Sequence, residues 1–241
     1  MKSKPQSQIS SSSDSGFTII ESLMAIVVVA ILLVSITPIL VMSTLIRVQS
    51  RRIEKATQAA NTFIDGVKAG SIITGSRAAP SKKISLNPAT LRTSADYLIS
   101  ITQMPVPTSK TDADVNLYLL TKDGNICIAS DSACQIDSTN AFDEFYIQAM
   151  PIIVDGIHTK TSGYRLAVRV YRSDVDFSKT LLASTSDVKK VVSPIVTGIG
   201  NRQAPLIERT IDIGHNSTKF QALCYRLGMA KDQDGNNQGC Q

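Results

Sequence analysis

From Ser22 to Ile46 the chain carries no charged residue, and those 25 positions are mostly Ile, Val, Leu, Met and Ala. As a helix rising about 1.5 Å per residue, such a run crosses a hydrocarbon core about 30 Å thick. A transmembrane helix is therefore expected over 22–46, and the rest of the chain has to be arranged around it. Ahead of the run lie sixteen Ser-rich residues, Met1 to Gly16, carrying Lys2, Lys4 and Asp14. They are too polar to build a core and too few to form a domain, which reads as a leader. An ordinary secretory signal places its positive residues directly against the apolar run, with a small-x-small cleavage site after it. Here a Ser-rich tract and Asp14 intervene, and the best conventional site is Val41-Met42-Ser43.

Glu21 stands at the mouth of the run. A carboxylate near the start of an otherwise uncharged apolar helix is costly in lipid and calls for a partner, naturally an amine. Its bland reading is interfacial, with a carboxylate in the first helical turn complementing the macrodipole. Its neighbours, Gly16-Phe17-Thr18-Ile19-Ile20-Glu21-Ser22-Leu23, resemble the type III signal of type IV prepilins and type II secretion pseudopilins. The resemblance covers about 50 residues, and its specific part is the Gly-Phe-Thr-x-x-Glu string at the mouth of an apolar helix. It implies removal of a 1–16 leader by a prepilin peptidase cutting between Gly16 and Phe17, and N-methylation of Phe17. It also implies an assembly role for Glu21, pairing with the N-terminal amine of a neighbouring subunit. Pro38 falls where many such pilins also have a proline. Independently of the family, Pro38 removes a backbone donor and crowds the carbonyl of Val34, so a kink or local unwinding is expected, with Ser35 or a neighbouring helix to satisfy that carbonyl.

Beyond Ile46 the pattern becomes amphipathic. Ile53, Ala56, Ala60, Phe63 and Val67 recur at three- and four-residue steps among Arg51, Arg52, Glu54, Lys55, Gln58 and Asp65. One helix is expected over 17–66, about 75 Å long at 1.5 Å per residue. Gly66, Gly70 and Gly75 mark its end, and its apolar second-half face is expected to rest on a globular domain over 67–241.

Two orientation signals conflict. Arg47, Arg51, Arg52 and Lys55 outnumber Lys2 and Lys4, which by the positive-inside rule favours a cytoplasmic domain. The cysteines favour the other side. Cys127 and Cys134 bracket a short Asp/Ser-rich turn, and Cys224 and Cys240 bracket a polar C-terminal loop. Without a tight C-x-x-C pair they read better as two local disulfides than as a metal site, although sequence alone leaves three connectivities. With the prepilin-like signal, they imply an extracytoplasmic domain on a single-pass inner-membrane helix.

In the globular part, Val115 to Thr121 and Asn125 to Ala129 form a candidate hairpin around Lys122-Asp123-Gly124. Phe145 to Val154 and Tyr164 to Tyr171 follow as strands. In the latter, Tyr164, Leu166, Val168 and Val170 alternate with Arg165, Ala167, Arg169 and Tyr171, as one buried and one wetted face would require. Leu181 to Ala183 and Val188 to Val192 are weaker candidates. The expected class is α+β, a long helix against an antiparallel sheet, pilin-like in layout.

The sequence offers little catalytic chemistry. His158 and His215 lie in loop sequence and form no His-x-x-x-His or His-Glu pair. Gly198-Ile199-Gly200 lacks the third glycine of a dinucleotide loop. Aligned on Gly235, the string Asp232-Gln233-Asp234-Gly235-Asn236 would put Ala230 and Gln241 at the first and last ligand positions of an EF-hand, a poor match. The string reads as an Asp-Gly turn inside a Cys224 to Cys240 loop, with a looser calcium site as the alternative, and no metal or cofactor is expected. With a net charge of +5, 5% aromatics and no Trp, no interleaving of basic and aromatic residues suggests a nucleic-acid groove, so DNA binding stays open but unsupported, and no small-molecule ligand is indicated. The expectation is a non-enzymatic structural subunit, a minor pilin or pseudopilin, similar in layout to pseudopilins of hormogonium polysaccharide secretion. Its implied partners are other pilins, the prepilin peptidase, an assembly platform and the inner membrane. The alternative is an uncleaved, membrane-anchored sensor or adhesin domain.

Overall fold

The computed structural model describes residues 18–72, 84–86, 99, 101–112, 116–132, 134–137, 142–154, 163–185, 188–193, 200–214, 218–227, 233, 234 and 236. The chain divides between Thr44 and Leu45 into two compact units. Helix α1, Ile19–Lys68, runs through that boundary. It starts on a capping sequence, Thr-x-x-Glu: the Glu21 amide donates to Thr18 Oγ1 at 3.3 Å and so satisfies one of the orphan donors of the first turn. It stops on a Schellman motif. Gly70, with φ of 73°, donates to the Val67 carbonyl at 3.1 Å, and Ser71 donates to the Gly66 carbonyl at 3.0 Å. The left-handed turn at Gly70 is what ends the helix at Lys68.

Among the described residues of the second unit, strands β1 (Ile84–Leu86), β2 (Leu117–Leu120), β3 (Ile126–Ile128), β4 (Phe145–Val154), β5 (Tyr164–Arg172) and β6 (Ile207–Ile213) precede a short helix α2, Phe220–Leu227. Strands β3-β2-β4-β5-β6 form an antiparallel sheet in that order. β1 pairs in parallel with the last residues of β4, Ile152 to Val154, beyond the stretch that β2 occupies. The class is α+β. The β2–β3 connection turns at Gly124, φ 79°, with Thr121 and Asn125 joined by a 2.9 Å backbone bond. This is the expected hairpin, with strands shorter than the apolar runs that announced it.

One face of the sheet packs on the second half of α1. Ala56, Ala59, Ala60, Phe63, Ile64 and Val67 are buried against Phe145, Ile147, Leu166, Val168 and Val170. Three alanines leave the helix backbone free to approach the sheet, and Phe63 fills the remaining space with its ring 4.9 Å from that of Tyr118.

From Ala167 onward the opposite face of β5 is not wetted, contrary to the alternation expected from its sequence. Ala167, Arg169 and Tyr171 are fully buried. Leu117, Leu119, Tyr146, Tyr171 and Leu181 make a second cluster there, and Ile99, Met104, Met150, Ile152 and Ala167 a third. Between them lies a polar row, because Gln148, Arg169 and Glu208 are directly paired across β4, β5 and β6. Arg169 donates to Glu208 Oε1 at 2.8 Å, to Gln148 Oε1 at 2.8 Å, and to the carbonyls of Met104 at 3.0 Å and Ile99 at 2.7 Å. Gln148 donates in turn to the Pro105 carbonyl at 2.6 Å, and Glu208 accepts from the Ser184 amide and hydroxyl. A buried guanidinium survives only when its donors are satisfied. Here two segments, around 99–105 and 184, supply carbonyls and donors and are thereby fixed over the sheet. Leu181 to Ala183 and Val188 to Val192 form no strand; Leu182 and Val192 instead make isolated backbone bonds to Gln203 and Pro205.

Candidate functional site

The residue set that most needs a partner is the first half of α1. Every residue from Thr18 to Thr44 is exposed, among them Ile19 at 87% and Val34 at 73%. Surface on this scale, apolar on all sides of a helix, is the mark of a segment that rests in lipid or against other helices. The helix is long and apolar enough to span a membrane.

Its backbone is helical without interruption through Pro38. The hydroxyls near that residue turn inward: Ser35 donates to the Leu32 carbonyl at 2.7 Å and Thr37 to the Leu33 carbonyl at 2.7 Å. Ser35 thus bonds Leu32 and not the Val34 carbonyl that the proline leaves without its usual donor. Ser22 and Thr44 bond back in the same way, to Ile19 and Val41. Each hydroxyl is thereby hidden from an apolar surrounding by its own helix.

Glu21 is the acidic residue of the first turn. Its amide is held by Thr18, and its side chain is exposed at the helix N-terminus, with no ion pair among the described residues. The capping role of Thr18 is signalled in the sequence by the Thr-x-x-Glu spacing next to the Gly16-Phe17 junction. Gly16 and Phe17 themselves lie outside the described residues, as do His158, His215, Asp232, Gly235 and Cys240.

Past the apolar run the basic residues fall into two groups. Lys55 pairs with Asp143, and Arg52 stacks over the Phe142 ring at 4.3 Å. Arg172 grips Asp174 with Nε at 2.7 Å and Nη2 at 2.6 Å, while Arg202 Nε approaches the same carboxylate at 3.7 Å. Burial and the charge of Arg172 pull the Arg52 guanidinium below its ordinary value, against the opposing pull of Asp174. For Asp174, burial pushes the carboxyl up, but the Arg172 hydrogen bonds and the charges of Arg172, Arg202 and Arg52 outweigh it and hold it low. Arg47 and Arg51, by contrast, are exposed and make no ion pair among the described residues.

Cys127 and Cys134 form a disulfide, with Cα atoms 5.9 Å apart, tying β3 to the turn that follows it. Cys224, in α2, is also disulfide-bonded. Among the described residues no three His, Cys, Asp or Glu side chains gather as a metal site. Comparison with protein-family models, curated proteins and solved structures finds no match for this chain.

Proposed function

We propose that this chain is a minor pilin or pseudopilin, a structural subunit that enters a type IV pilus-like or secretion fibre through its N-terminal helix. The observation that carries the reading is the division of labour within α1. Its first half exposes an uncharged apolar surface led by Glu21, and its second half is buried against a sheet. A helix built this way holds a globular domain at one end and offers the other for lipid storage and lateral assembly.

In this reading the 1–16 leader is removed, Phe17 becomes the methylated first residue, and its amine pairs with Glu21 of a neighbour as subunits leave the membrane. An ion pair between a helix-leading carboxylate and an amine compensates two charges that lipid would otherwise penalise separately. The disulfide between Cys127 and Cys134 supports an oxidising, extracytoplasmic location for the domain. A globular part over 67–241 spaces neighbouring helices widely, which favours a low-copy priming, tip or secretion-coupled subunit over a shaft subunit.

The test is the N-terminal sequence and mass of the protein recovered from its native membrane. A chain beginning at methylated Phe17 is expected. An intact Met1 in cells with an active prepilin peptidase would replace the reading with a plain membrane anchor, and a start at Thr44 with a secreted soluble domain. Glu21→Ala is expected to leave leader removal intact and to reduce recovery in sheared fibres; undiminished incorporation would discard the amine pairing.

A further inference from the structure

We propose that Arg47 and Arg51 form a binding collar for the phosphates of anionic phospholipid headgroups, an inference that rests on the membrane-spanning reading of α1. Arg47 follows the last residue of the uncharged run, Ile46, and Arg51 lies one turn further along. At about 1.5 Å per residue their Cα atoms are within about 8 Å of Ile46 along the helix axis, the depth of a headgroup layer beside a hydrocarbon core. Four residues apart, the two occupy one face of the helix. That face is turned away from the sheet, because the buried positions, Gln49, Ala56, Ala59, Ala60 and Phe63, fall on the opposite side.

The other basic residues of this stretch are already committed. Lys55 is paired with Asp143 and Arg52 is stacked on Phe142 within the Asp174 cluster. Arg47 and Arg51 have no such partner among the described residues, and Glu54, on the same face but further from the apolar run, makes no salt bridge with Arg51. Two unpaired guanidiniums at headgroup depth match phosphate well. Arginine is weakly hydrated and presents a fork of donors that fits phosphate oxygens, and its stem can lie along apolar surface while the head reaches outward. The collar also answers the charge conflict at this flank. Arginines that oppose the positive-inside bias have a use here: they hold the helix at a fixed depth against phospholipid phosphates until the subunit is extracted.

The experiment is native mass spectrometry of the full-length chain released from nanodiscs of equimolar phosphatidylcholine and phosphatidylglycerol. The expected result is preferential retention of phosphatidylglycerol, about fivefold per arginine at low ionic strength, falling to near parity in the Arg47→Gln, Arg51→Gln pair. Arg209→Gln is the control: Arg209 bonds Asn61 at 2.8 Å within the globular unit and its loss should leave the preference intact. Equal retention of both lipids by the unaltered chain, or a preference that survives in the Gln pair, overturns the collar while leaving membrane insertion standing. An equal loss in the control reduces the preference to unspecific charge and also overturns it. A chain that does not enter the nanodiscs overturns the collar and the membrane-spanning reading together.

Discussion

The two halves of α1 share one uninterrupted helix and have opposite surroundings. Residues up to Thr44 are exposed throughout, whereas the stretch from Gln49 to Val67 buries one stripe of seven residues in the second unit. Both are helical, but for different reasons. The second half gains its stability from an amphipathic face with a sheet to rest on, as most helices in water do. The first half is built of Ile, Val and Leu and hides its hydroxyls on its own carbonyls, which suits a surrounding that offers no hydrogen bonds. The same secondary structure therefore supports a face fixed to the sheet on one side of Leu45 and an uncovered apolar surface on the other.

Paired truncations give the largest test of that contrast. Phe63→Ala is expected to cost the globular unit about 3–5 kcal/mol, through lost burial and an unfilled cavity between α1 and the sheet. Leu32→Ala, a comparable deletion in the first half, should leave the unit's unfolding midpoint where it was. Both are read by tyrosine fluorescence of the full chain in detergent during denaturant titration, since the chain has no Trp. A matching loss in the Leu32 variant would mean that the halves are not energetically distinct.

Enlargement should give a smaller version of the same asymmetry. Ala60→Leu forces side-chain volume into a fully buried contact and is expected to cost about 1–3 kcal/mol. Ala30→Leu adds bulk to an exposed surface and should be neutral to folding. The smallest effect expected is electrostatic and confined to the second half's surroundings. Asp174 has a folded value held below its ordinary 3.8. Its stabilising contribution is therefore complete above that ordinary value and is lost as pH falls through the lower, folded one. Asp174→Asn should flatten the acid side of the midpoint-against-pH curve, and an unchanged acid slope would show that the Arg172 contact contributes nothing measurable.

Much of this architecture was written in local pattern. α1 follows from an uncharged run continued by three- and four-residue steps, and the observed helix, Ile19–Lys68, agrees with the expected span to within two residues at each end. β4 occupies the whole of the expected Phe145 to Val154, and β5 adds only Arg172. What was lost is what depends on distant chain segments. Arg169 reads as a solvent-facing strand residue because alternation assigns polar side chains to water, yet it is satisfied by Ile99 and Met104, 70 and 65 residues earlier, and by Glu208, 39 residues later. β6, Ile207–Ile213, mixes Glu208, Arg209 and Asp212 with isoleucines and shows no clean alternation, since Arg209 lies on the helix side and Glu208 on the other. α2 was missed although Phe220, Leu223, Cys224 and Leu227 keep helical spacing. For the candidate site, Glu21 and Pro38 were conspicuous as exceptions in an apolar string, while the Thr18 cap was overshadowed by them.

The row of Gln148, Arg169 and Glu208 has a consequence for how the sheet finds its alignment. Each residue belongs to a different strand, and Arg169 reaches the other two side chains when it stands directly opposite both Gln148 and Glu208. Sliding any one strand by a single residue would turn its polar member toward the α1 side of the sheet, exposing an ionised or amide group to a layer built mainly of apolar side chains. The apolar residues on both faces of β4 and β5 would tolerate such a slip far better, because one branched aliphatic side chain replaces another with little penalty. The three side chains thus work as a combination lock on strand order and registration, and they spare the rest of the sheet from having to encode either.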